Sequence, residues 1–204
     1  MSDLRQALAK INAIRTQVAR DTQFRGYGPI SIAASGLLAL MVAAIQSRQI
    51  VDDRDFVHSL LVWVGTAAVT IVLTATETIR RTRKVHSGLA NEMIHSAIEQ
   101  FLPAIIVGVL LTVVLARVAP QNLWMLPGLW QLLFSLGVFA SCRFLPRQTI
   151  VVAIWYLVAG LICLALQSES KSFSPWTMGI PFGIGQLMVA AVLRFGFEES
   201  VEEI

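Results

Sequence analysis

Glu92, His95 and Glu99 are the residues of this 204-residue chain whose types and spacing come nearest to a chemical site. On a helix advancing about 100° per residue, their i, i+3, i+7 spacing puts all three within about 60° of one face, with Ala90, Met93, Ile94, Ala97 and Phe101 opposite. A Glu-x-x-His pair on one helix is the unit from which carboxylate-bridged metal centres in helical bundles are assembled. Glu77 or His86 could add further ligands. Such centres take a matching pair from a second helix, however, and no apolar run of this chain carries one. The same spacing also describes a solvated polar face on an amphipathic cytoplasmic helix. Nucleophile motifs, phosphate-binding loops and paired zinc-ligand spacings do not occur, so catalysis is disfavoured and no cofactor is named by the sequence.

A second constellation is built from amides and aromatic rings. Leu126-Pro127-Gly128-Leu129-Trp130-Gln131 and Ile180-Pro181-Phe182-Gly183-Ile184-Gly185-Gln186 share a proline, a glycine and then a glutamine inside apolar runs. Leu102-Pro103 followed by Gly108 is a partial echo. Proline and glycine loosen a helix and free backbone groups, which at membrane depth must be satisfied by protein or by a polar cavity. Gln131 and Gln186 are therefore expected to line a small-molecule site, with Trp130, Phe182, Trp63 and Trp155 as its apolar walls. Helix packing accounts for the same residues differently. Gly179 and Gly183 form a small-xxx-small pair, and Gln186 can bond a neighbouring helix.

Six apolar runs must position these groups. The chain is 55% hydrophobic and 14% charged, with a mean hydropathy of +0.67, too apolar for an ordinary soluble domain. Each helical crossing needs about 20 apolar residues, and runs of that order span about 29–46, 56–79, 101–118, 123–142, 149–167 and 176–197. They form one transmembrane domain over 25–197. Residues 1–24 precede it, the helical segment 80–100 falls within it, and the acidic tail 198–204 follows. Thr66, Thr70, Thr74, Thr76 and Thr78 crowd the second run, where hydroxyls can bond the preceding turn or a neighbouring helix.

Charge sets the orientation. Arg80, Arg81, Arg83 and Lys84 follow the second run directly. Together with Arg5, Lys10, Arg15, Arg20, Arg25, Arg143, Arg147 and Arg194 they fall on one side of six crossings, leaving Arg48, Arg54, Arg117 and Lys171 on the other. The positive-inside rule then puts both termini in the cytoplasm, in the plasma (inner) membrane. Residues 3–23 read as an amphipathic helix, with Leu4, Ala7, Leu8, Ile11, Ile14 and Val18 on one arc and no signal-peptide core. It either lies on the inner leaflet or docks a partner. The net charge of +3 belongs to helix ends, so nucleic acid is not an expected partner. Cys142 and Cys163 are separated by roughly 20 Å of helical depth, too far for a disulfide.

The fold expected is an all-α membrane protein, a six-transmembrane-helix bundle with an N-terminal amphipathic helix. Its partners are expected to be the lipid bilayer, a cytoplasmic protein and, for a homo-oligomer, further copies of itself. Transporters driven by protons or sodium usually carry an ionisable group at mid-depth, and none of the six runs has one. The leading functional expectation is a non-catalytic module that binds a small apolar or amphipathic molecule and reports to a cytoplasmic protein. A small permease hinged at the proline and glycine positions comes second, and an intramembrane metalloenzyme on Glu92, His95 and Glu99 third.

Overall fold

Helices account for all the regular structure in the computed structural model, which describes residues 28–48, 56–85, 90–142, 148–170 and 174–195. They are α1 (Pro29–Gln46), α2 (Phe56–Val85), α3 (Ala90–Val118), α4 (Leu126–Ser141), α5 (Thr149–Ser170) and α6 (Trp176–Phe195), with a short 3-10 helix over Pro120–Met125 leading into α4. Six helical spans are long and apolar enough to cross a bilayer, as a multi-pass membrane protein requires. The reading of residues 1–24 as an amphipathic helix, and of 198–204 as an acidic tail, lies outside the described residues.

Small residues decide which helices touch. At the α1–α6 crossing a Cβ added to Gly36 would sit 2.9 Å from the Gly183 carbonyl oxygen, and one on Gly183 would meet Leu40 Cγ at 2.5 Å. A Cβ on Gly179 would overlap Ala43. The pair Gly179 and Gly183 thus lets two backbones close up, which is how helices gain van der Waals contact where lipid removes the hydrophobic drive for association. Gly128 and Gly160 do the same between α4 and α5, each Cβ position lying 2.9 Å from the other's carbonyl oxygen. Between α3 and α4, Gly137 makes room for the Phe101 ring.

Burial is uneven across the bundle. The membrane-length windows in α4 and α6 are 44% and 39% buried, whereas those in α2 and α3 are 11% and 0% buried. Leu61, Ile71, Leu73, Ile106 and Leu110 all point outward on these two helices. An apolar surface that extensive is incompatible with water and suits acyl chains. Four of the α2 threonines turn inward on their own helix: Thr66 donates to Val62 O at 2.8 Å, Thr70 to Ala67 O at 2.8 Å, Thr76 to Val72 O at 2.5 Å, and Thr74 to Thr70 O. Of the two options for these hydroxyls, bonding to the preceding turn is the one taken.

The centre is aromatic. Phe134 stands edge-on to Tyr156 with centroids 4.7 Å apart and to Phe182 at 5.7 Å, and Phe101 closes the group at 5.6 Å from Phe134. These distances, two of them edge-to-face and the Phe101 pair tilted, fall in the range where ring quadrupoles attract.

Candidate functional site

Pro181 is the sixth residue of α6 and cannot donate the hydrogen bond that a helix gives to the carbonyl four residues back. That carbonyl belongs to Thr177. An unsatisfied carbonyl in a low-dielectric interior costs about 1–3 kcal/mol, and α4 supplies the missing donor: Gln131 Nε2 donates to Thr177 O at 2.7 Å. Gln167 of α5 donates its Nε2 to Thr177 Oγ1 at 3.1 Å, and that hydroxyl donates to Ser174 O at 2.6 Å. Cys163 Sγ is 3.5 Å from Gln167 Oε1. One threonine at the start of α6 therefore ties three helices together. A turn further on, Trp155 Nε1 donates to Pro181 O at 3.0 Å.

Around this knot lie buried polar atoms that make no hydrogen bond among the described residues. Gln131 has no exposed surface, and its Oε1 is one of them. Gln46 Oε1 and Trp63 Nε1 are two more, on residues that are each 4% exposed. Trp63 belongs to one buried cluster with Ala39, Ala43 and Met178, the residue that follows Thr177, and Val42, Trp130 and Phe182 pack against that cluster. Gln46 lies one turn beyond Ala43 on the same buried stripe of α1. Acceptor and donor atoms are both present, on side chains that carry no charge at any ordinary pH. They suit a neutral partner able to give and take a hydrogen bond.

The residues singled out from sequence separate into groups. Trp63, Trp130 and Phe182 meet in one cluster beside Met178. Phe182 also packs into a second cluster with Trp155, Phe134 and Tyr156. Trp130 Nε1 is spoken for, donating to Thr112 Oγ1 at 3.0 Å. Gln131 and Gln186 do not come together. Gln131 bonds at Thr177, whereas Gln186 is half-buried nine residues later, about 13 Å along α6, with its Cβ against Gly36.

Pro127 also differs from its expected role. As the second residue of α4 it begins a helix instead of interrupting one, and its missing N–H is one that a first turn leaves unpaired anyway.

Glu92, His95 and Glu99 all fall on α3, where the Glu99 side chain is exposed. The side chains of Glu92 and His95 lie outside the described ones. Among the described residues, no group of three or more His, Cys, Asp or Glu side chains could hold a metal ion.

Gln46, Gln167 and Thr177 were not singled out from sequence. Two signals point to them: Gln46 and Gln167 each close an apolar run on the same predicted side of the membrane, and subtracting four from Pro181 gives Thr177. Ser135, bonded to Ala153 O at 2.8 Å, and the fully buried Tyr156 carry no such signal.

Comparison with protein-family models, with curated proteins and with solved structures finds no match for this chain.

Proposed function

We propose that this protein is a membrane-embedded receptor module that binds a small, neutral amphipathic molecule beside Gln131 and reports its presence to a cytoplasmic protein. One observation carries this reading. The Gln131 amide spends its donor on the carbonyl freed by Pro181 while its acceptor oxygen stays buried without a hydrogen-bond partner among the described residues. A ligand offering an O–H or N–H would satisfy that oxygen, and the rings of Trp63, Trp130 and Phe182 would take its apolar part. A hydrogen bond accepted at the oxygen polarises the amide and strengthens its N–H bond to Thr177, which steadies the start of α6. That helix ends at the side where the basic residues gather, and residues 3–23 and 80–100 are the surfaces through which a partner would sense the change. Both termini are assigned to the cytoplasm, with the chain in the plasma or inner membrane.

Thermal unfolding of the detergent-purified protein, screened against uncharged alcohols, amides and lipid-derived amphiphiles, tests the binding step. A ligand at a hundredfold excess over its Kd adds about 2.7 kcal/mol of stability, a shift of several degrees. Gln131→Leu is expected to remain folded and to lose that shift. A full response in the variant would refute the assignment. Retention of a cytoplasmic protein by the whole chain, but not by one lacking residues 1–24, tests the reporting step.

A hinged permease draws on the same contact. A helix interrupted at Pro181 and clasped from α4 by a side chain can exchange that clasp for another, as an alternating-access device requires. Solute flux in sealed vesicles that stops with Gln131→Leu would favour transport over reception.

A further inference from the structure

A groove of ≈ 370 Å³ runs between the first turns of α1 and the last turn of α6, lined by Ile30, Ala33, Ala34, Leu37, Ala190 and Arg194 among others. It exists because Gly36 and Gly183 draw the two helices together while the alanines beside them leave space. Its bed is apolar, and Ile30 and Leu37 stand open at 74% and 56% exposure. One end is different. Arg194, exposed and in the last turn of α6, forms the rim there. Among the described residues that line the groove there is no carboxylate. At that same end α1 opens on Gly28, with no side-chain cap and no acidic residue in its first turn, so its orphan N–H groups add to the positive potential.

An apolar trough that finishes in a cation is complementary to an amphiphile with an anionic head. We infer that this groove is a binding site for one anionic phospholipid of the surrounding bilayer. The phosphate takes hydrogen bonds from the Arg194 guanidinium, and an acyl chain lies along Ile30, Ala34 and Leu37. Arginine suits the task, since its planar donors match phosphate oxygens in pairs. The site lies on a different helix contact from Gln131 and stands whether or not a ligand binds there.

Native mass spectrometry of the whole protein, released from micelles holding equal amounts of phosphatidylglycerol and phosphatidylcholine, tests the inference. The wild type is expected to retain the anionic lipid about fivefold over the zwitterionic one, the ratio that roughly 1 kcal/mol per basic residue at a membrane surface provides. Arg194→Gln should abolish the preference and Arg194→Lys should keep most of it. Ala34→Phe, which fills the trough from an exposed position, should lower the bound lipid without changing the unfolding temperature. Arg117→Gln should change nothing. Equal retention of both lipids by the wild type would overturn the inference. So would a preference that survives Arg194→Gln, or one that falls as far with Arg117→Gln. Inorganic phosphate displacing the lipid would place the affinity in the ion alone and overturn the lipid as occupant.

Discussion

Two stretches with nearly the same residues, the starts of α4 and α6, use their prolines in opposite ways. Pro127 stands at the second position of its helix, where its missing donor is not needed, and the turn before it is already wound as a 3-10 helix. Pro181 stands four residues deeper in its own helix and strips the Thr177 carbonyl of its partner. Gln131, four residues after the harmless proline, crosses over to serve the costly one. Gln186, five residues after the costly proline, is half-buried against α1. A proline, a glycine and a glutamine in sequence do not define one site. Their offset from the helix start decides whether a backbone group is released, and only then does a nearby amide have work to do.

The sharpest way to break this contrast is to remove the clasp. Gln131→Leu should destabilise the protein by about 2–3 kcal/mol in reversible unfolding in micelles, because it strands a buried carbonyl. The same substitution made in a Pro181→Ala background should cost about 1 kcal/mol less, since an alanine at that position restores the helical donor. Equal costs in the two backgrounds would show that Thr177 does not depend on Gln131. Made in a Pro127→Ala background, Gln131→Leu should keep its wild-type cost to within about 0.5 kcal/mol. The smallest effect belongs to Gln186→Leu, expected to move stability by no more than about 0.5 kcal/mol and to leave any ligand-induced shift intact.

How far these features could be read in advance follows the range of the forces involved. The spans were legible because apolar length is a local property: the run from Pro29 to Gln46 needs no knowledge of its neighbours to be a helix in lipid. Pro181 was legible for the same reason, although the carbonyl it releases, on Thr177, was not singled out. That Gln131 is the residue which reaches Thr177 was not legible. It depends on how α4 and α6 are displaced along their axes, which Gly128 against Gly160 between α4 and α5, and Gly185 against Tyr156 between α6 and α5, help to set. The packing of the rings was half legible, since Trp63, Trp130 and Phe182 do share one cluster whereas Trp155 lies in another. Large rings in apolar runs seek small residues opposite, but sequence does not say on which helix those lie.

The second helix shows what uneven burial implies for the molecule as a whole. Along α2 the described buried side chains are Ser59 and Trp63 near one end and Thr78 near the other, about 22 Å apart by helical rise. Between those two rivets the rod meets hydrocarbon on nearly every side, with its hydroxyls folded away. It is a beam supported at its ends: its middle turns are held by their own backbone bonds and by contact with lipid, with little help from neighbouring helices.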